Sequence, residues 1–167
     1  MKTKALAAAI AVSTALWLGA AMGMAPATAD TAINRTKGAT TDHNPFNGGF
    51  EGYCTWGAQE QIHVHTGYYV TALTANAEDW ANQARTAGWT VVPEAEPRSI
   101  AVYSSALVGG VGHVAWVEAV DGGDMTITEM NFGNGATAAN GYRTTGFSQF
   151  DTRTVHRFQG MSYILIP

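Results

Sequence analysis

The chain has 167 residues, of which 46% are hydrophobic and 13% charged, with a formal net charge of −4 at pH 7 and one cysteine. This length suits one domain with a real hydrophobic core and leaves little room for a second. The acidic balance argues against unaided binding to nucleic acid or to anionic surfaces.

Residues 1–29 read as an export signal: Lys2 and Lys4 form a basic start, an apolar stretch follows from Ala5 to about Met24, and the small-residue site Ala27-Thr28-Ala29 precedes Asp30. A single membrane anchor is the competing reading, because the apolar stretch is nearly long enough to span a bilayer, but a cleavage site directly after it favours removal. No later segment approaches membrane-spanning length, so a secreted protein without membrane attachment is expected, in the wall, periplasm or medium. Cleavage removes Lys2 and Lys4, leaving 138 residues with a net charge of −6. In an oxidising compartment structural cysteines come in pairs, yet Cys54 has no partner within the chain. It is a buried small hydrophobe, half of an intermolecular disulfide, or a reactive thiol.

Residues 30–44 lack hydrophobic periodicity and predict a flexible leader, with the domain over 45–167. Gly48, Gly49 and Gly52 describe a loop, after which CTWGAQEQI predicts a short helix starting at Cys54, weakened by about 1 kcal/mol at Gly57 relative to alanine. His63 and His65 have no cysteine or acidic cluster to complete a metal site and are expected as exposed helix-end residues, with no metal predicted. A stronger helix is predicted from Ala75 to Ala87, with Ala77, Trp80, Ala81 and Ala84 on one face and Gly88 as a left-handed stop. Strands are predicted at Trp89–Val92, Ser99–Tyr103, Gly112–Val120, Met125–Asn131, Thr152–His156 and Ser162–Ile166. Asp121-Gly122-Gly123-Asp124 joins two of them as a hairpin. Helices first and antiparallel strands afterwards indicate an α+β domain.

A cysteine hydrolase needs a thiolate near neutral pH, whereas a free thiol has a pKa of about 8.5. A helix N-terminus and an imidazolium both stabilise negative sulfur. The first is predicted at Cys54. For the second, His113 opens a strand directly after a glycine-rich segment, although a satisfied core histidine fits that position too. Strand alternation places His113, Ala115 and Val117 on one face and turns the nearby Glu118 to the other. On the returning strand Ile127, Glu129 and Asn131 share a face, so Glu129 or Asn131 can reach the imidazole, accept the Nδ1 hydrogen and fix the tautomer. Otherwise both are ordinary strand-end and turn residues.

Several ordered blocks, namely YCTW (53–56), NAEDWANQARTAGWTV (76–91), SIAVY (99–103), GHVAWVEAV (112–120) and ITEMN (127–131), resemble the CHAP family of cysteine- and histidine-dependent amidohydrolases and peptidases. The resemblance covers about residues 45–167. It implies a papain-like fold, N-terminal helices packed on an antiparallel sheet, and hydrolysis of amide or peptide bonds in bacterial peptidoglycan by a monomer without a required cofactor. It also places the family's nucleophile on Cys54, its base on His113 and its third and fourth polar positions on Glu129 and Asn131.

Many relatives carry glutamine before the cysteine where this chain has Tyr53. That leaves the second oxyanion donor open: the Tyr53 hydroxyl can serve, or Tyr53 is a wall of the cleft. Some members of the family bind calcium near the nucleophile, and Asp42, Asn44, Asn47 and Glu51 supply oxygens there, but their spacing does not match an EF-hand loop and an ordinary polar loop explains them as well. Trp56 and Trp116 either line a substrate groove or belong to the core. The alternative to a hydrolase is a non-catalytic wall- or partner-binding module of the same fold, which the Tyr53 departure favours and the intact polar set opposes. Neither the bond cleaved nor the choice between own wall, competitor wall and host target is written in these residues.

Overall fold

The computed structural model describes residues 40–166; the predicted signal and the leader up to residue 39 lie outside them. Among the described residues no helix is long and apolar enough to cross a membrane.

Helix α1 (Cys54–Thr66) starts at Cys54 as predicted, but runs four residues past the expected stretch and is the longest helix described, at 13 residues. Tyr53 enters it in an extended conformation, and Gly67 ends it in the left-handed region, its N–H donating to the His63 carbonyl. Two features compensate for the weak local propensity. Gln59 is fully buried, its amide bridging the backbone of Val70 and the Leu73 carbonyl, which ties the helix to the chain that follows. Gly57 lies so close to Met130 that a Cβ there would stand 2.6 Å from the Met130 Cβ. The glycine that costs helix propensity therefore permits the helix to seat on the sheet.

The second helical segment is shorter than predicted: a 3₁₀ turn at Ala77–Asp79 leads into α2 (Trp80–Thr86). The Gln83 side chain accepts the N–H groups of Thr74 and Ala75, holding those residues as the entry loop rather than a helical turn. Trp80 is fully buried, and its indole N–H donates to the Ala75 carbonyl.

The leader was expected to run to residue 44, but its last residues are part of the domain. Strand β1 (Thr40–Thr41) pairs antiparallel with β2 (Tyr69–Val70), and Asn44 is buried with its amide on the Trp56 carbonyl and Glu60. The short polar stretch has no periodicity because it is held by pairing and capping, not by an apolar face.

The main sheet comprises β3 (Val91–Val92), β4 (Ser99–Tyr103), β5 (His113–Asp121), β6 (Asp124–Met130), β7 (Phe150–His156) and β8 (Ser162–Leu165), with a short helix α3 (Ser105–Val108) between β4 and β5. Strand order is β3-β8-β4-β5-β6-β7, and every pairing is antiparallel. Alternation divides the strand side chains between two cores. Ile100, Val102, Val114, Trp116 and Ile164 join Cys54, Ala58, Ile62 and Trp80 beneath the helices. Ala101, Tyr103, Ala115, Val117, Ile127 and Tyr163 form a second cluster from the opposite strand parity. This mixed architecture, with helices N-terminal to an antiparallel sheet, is the expected α+β arrangement.

Candidate active site

Cys54 stands at the first position of α1, where backbone N–H groups lack carbonyl partners in the preceding turn and the helix dipole favours an anion. It is a free thiol and buried. His113 stands at the first position of β5, opposite Tyr103 of β4. The residue before it must be glycine: Gly112 has φ +80°, and a Cβ there would fall 2.5 Å from the Tyr103 carbonyl oxygen and 2.8 Å from the Glu78 Cβ. The close passage of this backbone brings the start of β5 against the helical layer, where His113 and Cys54 line one cleft close enough to couple electrostatically.

The hairpin turn sets Asp121 opposite Asp124, and Trp116 pairs with Thr128, so Glu129 comes alongside the start of β5. His113 Nε2–H donates to Glu129 Oε2 at 2.7 Å. Nε2 thus takes the role expected for Nδ1, and Nδ1 is the nitrogen left for the sulfur. Glu118 faces away as predicted, accepting from the Trp116 indole and the Thr128 hydroxyl.

The second oxygen of Glu129 has a partner that the sequence did not suggest. Arg153 Nε donates to Oε1 at 2.5 Å. The Glu129 side chain is only 1% exposed, against 50% for Arg153. In their charged forms the groups alternate in sign across the site, in the order thiolate, imidazolium, carboxylate, guanidinium. Arg153 lies 24 residues beyond Glu129 on another strand, so only the β6–β7 register reveals it.

The electrostatics follow from this order. Burial opposes the Cys54 thiolate, but the charge and hydrogen bond of His113, with backbone N–H groups of Val114 and Thr55, outweigh it and hold the thiol below its ordinary range. Burial likewise opposes a charged His113, and the Cys54 thiolate followed by Glu129 overcomes it, holding the ring well above the usual imidazole range. Glu129 is buried too, yet His113 and Arg153 keep its carboxyl below the ordinary value. Tyr103, tilted over His113 at 5.7 Å between ring centroids, is pushed up by burial and by the Glu129 charge and stays a neutral phenol.

Asn131 does not share the role of Glu129. Its φ of 55° lies in the left-handed region, its Oδ1 accepts from the Thr144 N–H and hydroxyl, and its Nδ2 donates to the Tyr142 carbonyl. It anchors the 132–147 loop instead of touching the imidazole. That loop returns to the site through Tyr142, whose ring lies against Gly110 in the segment leading to His113.

A cleft of about 1180 Å³ runs past Tyr53, Cys54, His113, Glu129, Tyr142 and Arg153. The Tyr53 ring packs edge-on against Phe147 at 5.1 Å and its hydroxyl stands where a Cβ on Gly141 would meet it at 3.1 Å, as a wall of the cleft would. Neither tryptophan proposed for the groove lines it. Trp116 is 1% exposed in the core, and Trp56 packs against that core while its indole N–H donates to Asn47. A β-strand residue on the helix-facing side, like Trp116, has no route to the cleft.

His63 and His65, expected to be exposed, are half-buried because each stacks on an aromatic ring, Tyr69 and Trp116 respectively. The loop oxygens considered for calcium have protein partners: Asn44 Oδ1 accepts from Phe46 N–H, Asn47 Oδ1 from Trp56, and the Glu51 carboxylate from Gly48 and Gly49 N–H, while Asp42 contacts His43. Among the described residues no three His, Cys, Asp or Glu side chains are grouped to hold a metal.

The chain is similar to known proteins over this region. It is 33% identical over 113 residues to the staphylococcal secretory antigen ssaA2 of Staphylococcus aureus, covering 67% of this chain and 38% of that protein. It is 35% identical over 86 residues to the secretory antigen SsaA of Staphylococcus epidermidis, covering 51% of this chain and 31% of the relative. The crystal structure of an N-acetylmuramoyl-L-alanine amidase from Staphylococcus aureus superposes with a TM-score of 0.54 at 22% identity, over 70% of this chain and 31% of that one, and so shares the fold. The pattern of the CHAP domain matches residues 43–131, more than half of the sequence, and the chain belongs to the CHAP domain family.

Proposed function

We propose that this protein is a secreted peptidoglycan hydrolase that cleaves an amide or peptide bond through a Cys54 acyl-enzyme. The observation that carries this reading is the buried Cys54–His113–Glu129 chain opening on a cleft. Membership of the CHAP family supports the reaction class, and the names of the secretory antigens support export.

The Cys54 thiolate attacks the substrate carbonyl carbon, and the carbonyl electrons move to oxygen. The Cys54 backbone N–H at the start of α1 is positioned to donate to that oxyanion. Collapse expels the amine, which takes its proton from the His113 imidazolium and leaves a thioester. Water then attacks the thioester carbonyl, with neutral His113 accepting its proton, and the carboxylic product leaves as the thiolate–imidazolium pair is restored. Glu129 keeps Nε2–H engaged throughout, so the nitrogen facing sulfur is the one that exchanges protons.

The test is lysis of purified peptidoglycan by the wild-type protein and Cys54→Ala, with mass spectrometry of the released muropeptides. Wild-type lysis abolished by the substitution is the expected result. The fragments then distinguish the muramoyl-alanine amide from a bond in the stem or cross-bridge. Undiminished lysis by Cys54→Ala would falsify the assignment, and wall binding by both proteins without lysis would identify a binding module.

A further inference from the structure

We propose that Arg153 is a positioning residue of this site: its guanidinium fixes the Glu129 carboxylate against His113 Nε2 and so holds the base in register with Cys54. The inference rests on the hydrolase reading and deepens it. Arg153 donates to Glu129 and not to Cys54 or His113, so it acts through the carboxylate.

The geometry gives each Glu129 oxygen one cationic partner, His113 on Oε2 at 2.7 Å and Arg153 on Oε1 at 2.5 Å. A carboxylate with one partner can pivot about its last torsion, whereas one held at both oxygens by elements on opposite sides has a single orientation. Those elements are the neighbours of β6 on either side, β5 carrying His113 and β7 carrying Arg153.

Strand attachment does not require this ion pair. β7 is an edge strand already joined to β6 through seven consecutive residue pairs, from Asp124 opposite His156 to Met130 opposite Phe150. A mere surface pair would join two exposed groups and contribute little. Here the carboxylate end is buried beside the base, so its contact with the half-exposed guanidinium is screened less than a pair between two exposed groups.

The groups facing the site from each packed element are Cys54 on α1, Tyr103 on β4, His113 on β5, Glu129 on β6, and Arg153 with Asp151 on β7. Tyr103 is a neutral phenol and supplies no compensating charge. Loss of Arg153 removes positive charge from this set, which disfavours every anion in it. Thiolate formation at Cys54 should therefore require a higher pH.

The experiment measures the rate of Cys54 alkylation by iodoacetamide against pH in the full wild-type chain, Arg153→Gln and Arg153→Lys, with peptidoglycan turnover followed in parallel. In Arg153→Gln the acid limb should move up by about 0.5 to 1 pH unit. Its kcat should fall about tenfold or more with KM little changed, as for other supporting partners of a reactive site. Arg153→Lys should return the limb most of the way to wild type, because it restores the charge. Arg153→Met, whose apolar stem can lie along β7, supplies the same charge loss if the glutamine variant does not fold.

A folded charge-loss variant with an unmoved acid limb overturns the inference and leaves an ordinary edge-strand ion pair. A wild-type Cys54 that reacts only in the ordinary thiol range overturns both this inference and the hydrolase reading. An acid-shifted wild-type thiol that responds to Arg153 without wall lysis supports the inference and redirects only the choice of substrate.

Discussion

Glu129 and Asn131 lie two residues apart, yet one orients an imidazole and the other anchors a loop. The difference begins in the backbone: Glu129 is the last but one residue of β6, while Asn131 follows the strand at φ 55° and turns its amide towards residues 142–144. Glu129→Gln should therefore lower kcat by about 10²- to 10⁴-fold, the scale seen when a triad carboxylate becomes an amide. The basic limb of its pH–rate profile should move down, because His113 loses a charge that helps hold it above the usual imidazole range. The same substitution should change acid stability. Glu129 has a folded pKa below the ordinary carboxylate value, so its contribution is present above that value and disappears as pH falls through the depressed folded one. Thermal unfolding of Glu129→Gln followed down through this acid range should be flatter than wild type. Asn131→Ala should instead raise KM severalfold through loss of its three loop contacts, leaving the pH dependence of Cys54 alkylation in place. If both variants shifted the alkylation profile equally, the division of roles would be wrong.

At the scale of elements, the proposed site depends on one helix and one strand that begin at its two central residues, α1 at Cys54 and β5 at His113. Both starts were legible because glycine-rich runs precede them, and the two-residue side-chain period of a strand then fixes which residues of β5 and β6 share a face across a short turn. A bulge between Val117 and Ala119 shifts that register, but it lies towards the turn and leaves the pairing of Trp116 with Thr128 to align the reactive end. What was not legible depends on long-range packing. Trp56 and Trp116 have equal chemical claims on a groove in the sequence, and only the face of the completed sheet consigns Trp116 to the core. Gly57 is the clearest case, since local propensity counts against it and tertiary approach requires it. Gly57→Ala gains about 1 kcal/mol of helix propensity and meets Met130 at an impossible 2.6 Å, an overpacking penalty of about 1 to 3 kcal/mol. A net loss of stability in urea unfolding, with slower Cys54 alkylation as α1 shifts on the sheet, is the expected outcome. A stabilised variant would show that the helix has room that the close contact denies.

Across the whole molecule, the helical layer supplies the nucleophile of the proposed mechanism and the sheet supplies its base and supports, so the proposed catalysis depends on how firmly the two layers are registered. Part of that registration comes from a stretch that composition alone assigns to a flexible leader. Thr40 and Thr41 pair with Val70 and Tyr69, and Asn44 fixes the start of α1 by donating to the Trp56 carbonyl at 3.1 Å and to Glu60 at 2.8 Å while its Oδ1 accepts from Phe46. Such contacts leave no periodic signature, because a two-residue strand and a single buried amide contain no repeat. A chain beginning at residue 45 would lose all of them, and Asn44, at 2% exposure, is too deeply buried for water to replace its bonds in place. At about 1 kcal/mol for each hydrogen bond, with an added cost for acceptors left unpaired, that chain should be less stable than one beginning at residue 38 by about 2 to 4 kcal/mol. Urea midpoints of the two chains measure the difference. Iodoacetamide reactivity supplies its functional consequence: if the leader seats α1, the shorter chain should also lose part of the acid-shifted reactivity of Cys54, whereas equal midpoints and equal profiles would return residues 40–44 to the role of a tether.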